Sequence, residues 1–558
     1  MRTWRVIFGL ARADFLERVR RYSFFLTMMF ALGLGYGAAT GKISVNMQGY
    51  RGVYTSAWIG ALVALITTCF VSLVGFYIIK SAVDRDRQTG VGQILAATPM
   101  SKASYALGKF LSNFGVLAAM VVVLGICALA MQIFAREDRH IDAVALLAPF
   151  VLVALPAMAL TAAIAVLFEM LPILRGGAGN VIWFFVWVFG GVALSDLSGK
   201  AWLDPMGFGV VSHSMMDAAR KVIPDYKSGF ALDISPDRVQ LLQSLRWHGV
   251  DWTAQSVGLR MAWFGFAIVL ALLAAVFFDR FDGSRGLHFS PRRVHAAKSA
   301  AAEEASAGEA AFSGAAISRA TISGAMAASA VASIGSVGER QLHLSALPGA
   351  GRNVGTFGAF GRVFEAELRL ALQGQRWWWY AVAAGLLIAE FSSPMAVARG
   401  PLLGIAWIWP VLIWSAMGAR ETRFATRGLL FSSSGILARQ LPACFLAGVA
   451  VAVIAGAGVG VRLLVAGHSA ELAAWAAGAL FLPALAISLG VISGSGKAFE
   501  ALLTAMCYIG PLNHTPGLDY TGSANGAATL RYAVIYLAMT AALLGVAFLV
   551  RARQVRNN

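Results

Sequence analysis

The sequence predicts an all-α polytopic membrane protein with about twelve transmembrane helices, arranged as two six-helix repeats that are each preceded by an interfacial amphipathic helix. The 558 residues are 58% hydrophobic and only 13% charged, and the mean hydropathy is +0.69. Soluble domains carry about 25% charged residues. Apolar runs of about 20 residues, the length at which a helix crosses a bilayer, recur along the chain.

The first half of the chain starts with a basic amphipathic stretch. Within residues 2–22, bulky apolar residues such as Trp4 and Phe8 alternate with basic residues such as Arg5 at helical spacing, which is typical of a helix lying on a membrane surface. Six predicted spans follow near 23–40, 56–79, 107–134, 143–168, 178–195 and 259–278. The first apolar run has no clear A-x-A cleavage site, so we expect no cleaved signal peptide.

The charges of the loops predict the orientation. The loop at 80–109 is rich in charge and is placed in the cytoplasm, because cytoplasmic loops carry an excess of Lys and Arg. The loop at about 196–258 holds seven acidic and six basic residues and suits the outer face. Its moderately apolar pieces, 207–216 and 239–245, fit short helices that dip to the outer surface, and an ordinary loop fits equally well. Both termini are expected in the cytoplasm.

The composition changes abruptly in the middle of the chain. From 280 to 361 it is rich in Ala, Ser and Gly, which buries little and predicts a flexible cytoplasmic linker. The first half is therefore 1–279 and the second half is 362–558. The second half starts with another amphipathic stretch at 362–375, and its predicted spans lie near 378–397, 402–418, 441–466, 471–493, 498–512 and 530–550. A repeated plan of this kind is common in transporters.

The loop after the second span carries the densest charge cluster. Four alternating charges follow directly on the apolar run that ends near Ile79, namely Asp84, Arg85, Asp86 and Arg87. Gly90 then loosens the chain before a short, weakly apolar piece at 91–97. Thr98 and Pro99 end that piece with turn chemistry, and a new helix is expected to start at Ser101.

This loop resembles the segment between the second and third spanning helices of ABC-2 type transport permeases, the membrane subunits of ABC exporters. The matching letters are Asp86, Arg87, Thr89, Gly90, Ile94, Leu95, Ala97, Thr98, Pro99, Met100 and Ser101. In that family the segment belongs to a coupling element that rests on a separate ATP-hydrolysing subunit. The resemblance implies that Asp84, Arg85, Asp86, Arg87, Thr98 and Pro99 form an ATPase-coupling loop.

A decayed copy of the loop follows the second span of the second half. When Asp86 is aligned with Glu421, Ile94 and Leu95 fall on Leu429 and Leu430, and Thr98 and Pro99 fall on Ser433 and Ser434. The proline is lost, but basic residues including Arg423 keep the segment on the cytoplasmic side. Glu421 and Arg423 are therefore predicted to belong to a second coupling loop.

The sequence holds no G-x-x-x-x-G-K-[ST] phosphate loop, so ATP is not expected to bind this chain by that route. We expect a permease without enzymatic activity or cofactor of its own, with ATP and Mg on two separate ATPase subunits. We attribute the net charge of +17 to basic residues in the cytoplasmic loops. Membrane lipid is an expected partner, and a nucleic acid is not. Neither an H-E-x-x-H nor a G-x-S-x-G motif supports a third interpretation, a membrane hydrolase.

The main alternative is a twelve-span secondary transporter of the major facilitator type, which carries a D-R-x-G-R-R style motif between spans two and three. The sequence from Asp84 to Gly90 lacks the Gly-Arg-Arg order. An ion-coupled carrier also needs an ionisable side chain deep in the bilayer. Glu390 is the one plausible candidate, either on a transport path or as a carboxylate that snorkels near the outer face.

These observations favour a permease of the bacterial inner membrane that moves an amphipathic, peptide or lipid-like substrate outward. The almost uncharged spans argue against a small ion as the substrate.

Overall fold

The structure, a computed structural model, is mostly helical with little sheet, which confirms an all-α polytopic membrane protein as the fold class. It describes residues 2–556 apart from 21, 136, 139, 194–202, 224–225, 227–229, 235–242, 282–355, 374, 376, 425, 432–435, 513–514, 516 and 524–527. Residues 1–284 and 360–558 form one compact unit. The predicted linker at 280–361 lies outside the described residues except at its ends.

The helices of the first half follow the predicted spans closely. They are α1 (Arg2–Val19), α2 (Tyr22–Ala39), α3 (Ser56–Ile66), α4 (Ser72–Ile79), α5 (Ala82–Gln88), α6 (Val91–Ala97), α7 (Lys102–Ala135), α8 (Ala143–Pro149), α9 (Leu155–Met170), α10 (Gly177–Phe185), α11 (Phe208–Arg220) and α12 (Ala254–Val276). Helix α11 confirms the predicted short helix at 207–216.

The second half is built in a similar way. Its helices are α13 (Thr356–Leu372), α14 (Trp377–Ser392), α15 (Met395–Val397), α16 (Leu403–Ile408), α17 (Val411–Ala416), α18 (Arg420–Arg423), α19 (Arg427–Phe431), α20 (Ile436–Ala455), α21 (Ala457–Ala466), α22 (Ser469–Ser493), α23 (Lys497–Cys507) and α24 (Leu530–Arg556). Helices α1 and α13, which cover most of the two predicted amphipathic stretches and are called approach helices below, are distinct elements from α2 and α14.

Eight helices in the described part of the chain are long and apolar enough to cross a membrane. They are Ser56–Arg87, Lys102–Phe134, Ala143–Met170, Ala254–Val276, Met395–Ala416, Leu437–Ala455, Ser469–Ser493 and Leu530–Arg556. They coincide with the second, third, fourth and sixth predicted spans of each half. The first and fifth predicted spans of each half are shorter helices. They are α2 and α14, α10 with the π-helical turn Val186–Ala193, and α23 with the π-helical turn Tyr508–Leu512.

Several long helices contain a wider π-helical turn, and the sequence explains most of them. Pro149, Pro401 and Pro511 lie in or next to the turns Phe150–Ala154, Ala398–Leu402 and Tyr508–Leu512. Proline lacks the N–H that the helical ladder needs, and a wider turn accommodates the loss. The turn Thr67–Val71 has no proline. There Thr67 and Thr68 donate to carbonyl oxygens four residues back, at 2.7 and 2.9 Å, which also perturbs a helix.

A small sheet lies at the ends of the helices opposite to α5 and α6. Its strands are β1 (Ile43–Met47), β2 (Tyr50–Gly52), β3 (Phe230–Ile234) and β4 (Gln243–Leu245), in the order β3-β1-β2-β4. Strand β1 pairs antiparallel with β2 and β3, whereas β2 pairs parallel with β4. The predicted short helix at 239–245 is therefore wrong at Gln243–Leu245, because pairing with a strand almost two hundred residues earlier determines the local structure.

The two halves meet along a seam that four helices form. Helix α4 of the first half packs on α23 of the second, and α10 of the first half packs on α17 of the second. Aromatic side chains fill part of the seam. The ring of Tyr508 lies 6.2 Å from that of Phe70 and 4.9 Å from that of Trp187.

Candidate functional site: the charged end of the bundle

The predicted coupling segment consists of two short helices, α5 and α6. Gly90 joins them with φ of 76°, a left-handed conformation that glycine adopts without strain. Thr98 is extended, as the residue before a proline must be, and its hydroxyl donates to the carbonyl oxygen of Leu95 at 2.7 Å. The predicted apolar piece at 91–97 and the Thr98–Pro99 turn are thus confirmed. Helix α7 starts at Lys102, next to the predicted Ser101.

The charges of α5 are paired inside the chain. Arg85 contacts Asp14 of α1 at 2.5 Å, and Lys109 of α7 contacts Asp14 at 3.0 Å and Asp86 at 2.7 Å. The hydroxyl of Tyr105 also donates to Asp86 at 2.7 Å. Asp86 is only 4% exposed and Lys109 is fully buried. These contacts fix α5 between α1 and α7.

Arg87 ties the same segment to the last helix of the first half. One of its guanidinium nitrogens lies 2.5 Å from a carboxylate oxygen of Asp279, directly after α12, and Arg175 approaches the other oxygen at 3.4 Å. Burial raises the pKa of Asp279, but the hydrogen bond and charge of Arg87 lower it more, so the pKa lies below its usual range. Asp84 is half-buried and also interacts within the chain.

A corresponding set of contacts lies in the second half. Arg420 of α18 pairs with Glu367 of α13 at 3.0 Å, and the amide of Gln440 in α20 donates to Glu367 at 3.4 Å and to Glu421 at 3.3 Å. Arg551 of α24 pairs with Glu421 at 3.0 Å. Glu421, like Asp86, is buried. The predicted site residue Arg423 is instead exposed, and its guanidinium lies over the ring of Phe424.

Helix α6 presents an apolar face to the outside. Gly92 faces inward, where an added Cβ would lie 2.6 Å from the ring of Phe281. Arg280 donates to the carbonyl oxygen of Thr98 at 2.7 Å and holds the end of the segment. On the other side Ile94 is 69% exposed and Val91 is also exposed. Isolated exposed apolar residues are normal, but here two of them lie on a short helix directly after the charged helix α5, whose Arg85, Asp86 and Arg87 are paired within the chain.

A polar cluster joins the halves where the seam reaches this end of the bundle. The ammonium group of Lys80 donates to the side-chain oxygen of Asn180 at 2.6 Å and to the carbonyl oxygen of Gly176 at 3.2 Å. The amide of Asn180 donates to the carboxylate of Glu500, and the ammonium group of Lys497 donates to the carbonyl oxygen of Lys80. First-half and second-half side chains are therefore bonded directly.

Glu169, at the end of α9, completes this cluster. Its carboxylate accepts hydrogen bonds from the backbone N–H groups of Ala82, at 2.9 Å, and Val83. These are the first N–H groups of α5, which have no partner within the helix, so the carboxylate caps it. From the sequence, Glu169, Lys497 and Glu500 are recognisable only as charges at the ends of apolar runs. Nothing in the sequence links them to Lys80 or Asn180.

Glu390 lies elsewhere, near the end of α14 and inside the second half. Its side chain is fully buried against Gly458, where an added Cβ would come 2.9 Å from a carboxylate oxygen. Gly458 belongs to the first turn of α21, whose dipole favours a negative charge at that position. Arg462 donates to the carbonyl oxygen of Glu390 at 2.6 Å. Glu390 thus joins two helices of one half and stands apart from the Lys80 cluster.

In the part of the chain that the structure describes, no three His, Cys, Asp or Glu side chains are grouped so that they could hold a metal ion. No protein-family model and no curated protein sequence matches the chain.

Proposed function

We propose that this chain is the membrane permease of an ATP-driven ABC exporter of the ABC-2 type, with two six-helix repeats fused in one polypeptide. The observation that carries the proposal is the recurrence of one buried network. Asp14, Arg85, Asp86 and Lys109 in the first half correspond to Glu367, Arg420, Glu421 and Gln440 in the second. In both halves the network joins the approach helix, the segment after the second span and the third span.

The seam between the halves supports the same proposal. If the halves are repeats, α4 corresponds to α17 and α10 corresponds to α23. The contact of α4 with α23 and that of α10 with α17 are then the same contact seen from either half. A two-fold relation of this kind is what a symmetric dimer becomes when its subunits are fused.

The buried networks suggest how movement of an ATPase subunit is transmitted to the membrane-spanning helices. Buried ion pairs hold α5 rigidly to α1 and α7, so a push on α6 moves long helices and not only a loop. Ile94 and Val91 offer the apolar contact that a separate ATPase subunit would use, and Phe424, 66% exposed, lies in the matching region of the second half. Two ATPase subunits per chain follow from two such segments.

The seam is the natural path for a substrate in this proposal. Its aromatic lining, with Phe70, Trp187 and Tyr508, suits an amphipathic, peptide or lipid-like molecule that moves outward. From the basic loops near α5 and α18 we infer that this end faces the cytoplasm, on the inner side of a bacterial inner membrane, with both termini on the same side.

The experiment is affinity purification of the tagged chain from its native membranes, followed by assay of bound ATP hydrolysis and identification of proteins with a phosphate loop. Ile94→Asp should abolish co-purification of the ATPase. Ile173→Asp is the matched control, since Ile173 is 66% exposed in the turn after α9 at the same end of the bundle. A wild-type chain that binds no ATPase, and that transports on a proton gradient without ATP, would support the secondary-transporter alternative.

A further inference from the structure

We propose that Lys80 and the polar residues around it form a hydrogen-bonded clasp that transmits movement of the coupling segment across the seam to the second half. The clasp consists of Lys80, Glu169, Asn180, Lys497 and Glu500. This inference rests on the proposed function, since it assigns the clasp a step in the same cycle.

Lys80 connects three helices, α5, α10 and α23, at one residue position. It ends α4, with an extended backbone, and α5 begins two residues later. Its side chain binds the start of α10 through Asn180 and Gly176, and its carbonyl oxygen accepts from Lys497 of α23. A displacement of α5 therefore pulls on helices of both halves at one point.

The approach of α10 to this point depends on a glycine. An added Cβ at Gly179 would lie 2.8 Å from the Lys80 ammonium nitrogen and 2.0 Å from the carbonyl oxygen of Leu174. Only a residue without a side chain lets the turn before α10 close tightly around Lys80.

Hydrogen bonds hold the clasp together across the seam, and its charged side chains also interact through space. It contains two ammonium groups, on Lys80 and Lys497, and two carboxylates, on Glu169 and Glu500. Lys80, Glu169 and Glu500 are at most 6% exposed. Breaking the hydrogen bonds of the clasp leaves buried polar groups without partners, which costs more than the loss of a surface ion pair. The cluster therefore moves as one body, and movement of α5 is passed on to α23.

The clasp is also unsymmetric in a way that requires two different halves. Lys80 and Ser415 both lie six residues before the corresponding acids Asp86 and Glu421. Ser415 is a small neutral residue beside Glu500, whereas Lys80 is a long cation beside Asn180. If both halves carried the lysine, two cations would meet at the seam, and if both carried the glutamate, two carboxylates would meet. One Lys80 and one Glu500 give a neutral contact.

Hydrogen exchange measured by mass spectrometry on the full-length protein tests the clasp directly. We expect Lys497→Met and Glu500→Gln, both in the second half, to speed exchange of the amides at 82–89 in the first half by about tenfold. Glu471→Gln is the matched control, because it removes a second-half carboxylate that pairs with Arg399 at 2.8 Å, at the opposite end of the bundle. Unchanged exchange at 82–89 in both clasp variants would overturn the inference.

Two further measurements separate this inference from the proposed function. The double variant Lys497→Met/Glu500→Gln removes one charge of each sign, so it should fold even where a single variant does not, and it should still show raised exchange at 82–89. With ATPase subunits present, the clasp variants should keep co-purification and lose stimulation of ATP hydrolysis by substrate. Full stimulation in the double variant would also overturn the clasp. A wild-type chain without ATPase would remove the proposed function, while the exchange data would still decide the clasp.

Discussion

The side-chain amide of Asn180 donates a hydrogen bond to the carboxylate of Glu500, and each residue is the fourth in its helix, α10 and α23 respectively. These are corresponding helices if the two halves are repeats. In a pair of repeats, a bond between corresponding positions lies where the two-fold axis passes, so under the proposed function Asn180 and Glu500 would mark that axis at the charged end of the bundle. The chemistry at that axis differs between the halves, with an amide on one side and a carboxylate on the other.

The first prediction concerns the buried network of α5. Lys109→Met leaves Asp86 and Asp14 without their shared cation in a buried site, and breaking a buried ion pair in this way costs about 3–5 kcal/mol. Gln440→Met should cost about 1 kcal/mol, because the neutral amide makes only weak hydrogen bonds at 3.3 and 3.4 Å. Thermal unfolding of the detergent-solubilised variants measures the difference.

An exposed ion pair provides the control for that comparison. Arg369 and Glu365 lie 2.5 Å apart on α13, but their side chains are 70% and 58% exposed. Arg369→Met should therefore cost only about 0–1 kcal/mol. Equal losses for Lys109→Met and Arg369→Met would mean that the α5 network does not hold the segment.

The outcome at Asp86 illustrates what the sequence could and could not predict. Local signals predicted the helices at each apolar run, the bounds of the piece at 91–97 and the Thr98–Pro99 turn, since each depends on neighbours in the chain. The sequence resemblance led us to expect that Asp86 faces a partner subunit. Its burial depends on Lys109 and on Asp14, which come from other helices, and no local pattern reports such contacts.

The sheet and the clasp could not be predicted for the same reason, because their contacts also join residues that are far apart in the sequence. Strands β1 and β3 are five residues each and pair across almost two hundred residues of sequence, so neither has a strand signal of its own that outweighs its surroundings. Asn180 is a single polar residue in an apolar run, and its role becomes visible only when α23 packs beside it.

The second prediction concerns pH and follows from Asp279. Because the pKa of this carboxyl is lowered in the folded protein, chiefly by Arg87 against the effect of burial, the ion pair stabilises the fold at pH values above the ordinary carboxyl range. That contribution is lost as the pH falls through the folded pKa. The stability difference between wild type and Asp279→Asn should be full at pH 7 and shrink below about pH 4.

Thermal unfolding between pH 7 and pH 3 checks this dependence. Asp217→Asn serves as the control, since Asp217 pairs with Arg220 on an exposed face and should contribute about 0–1 kcal/mol at any pH. If the stability difference between wild type and Asp279→Asn stays constant down to pH 3, the contribution of the Arg87–Asp279 contact does not depend on the charge of Asp279.

The third prediction concerns Gly418, which joins α17 to α18. It has φ of 74°, and an added Cβ would lie 2.6 Å from the carbonyl oxygen of Ile487. Gly467 has a similar φ of 69° with nothing within 4 Å of an added Cβ. Gly467→Ala should cost about 1–2 kcal/mol from the backbone alone. Gly418→Ala should cost clearly more, because α22 cannot move away without opening the packing around Met417. Similar melting temperatures for the two variants would contradict this account.

The last prediction compares two glycines that each stand second in a short helix, Gly92 in α6 and Gly428 in α19. An added methyl group at Gly92 would meet the ring of Phe281 at 2.6 Å, and Phe281 is itself held by edge-to-face contacts with the rings of Tyr105 and Phe278. Gly92→Ala should therefore displace α6 from its packing position against Phe281.

At Gly428 an added Cβ meets nothing within 4 Å, and alanine favours a helix over glycine by about 1 kcal/mol. If the orientation of α6 controls coupling, Gly92→Ala should keep expression and ATPase binding but lower substrate-stimulated ATP hydrolysis, whereas Gly428→Ala should leave it unchanged. The measurements are co-purification of the ATPase and its activity with and without substrate. Full stimulation in Gly92→Ala would mean that α6 is not the element through which the ATPase acts, because the substitution moves α6 without touching any of its exposed residues.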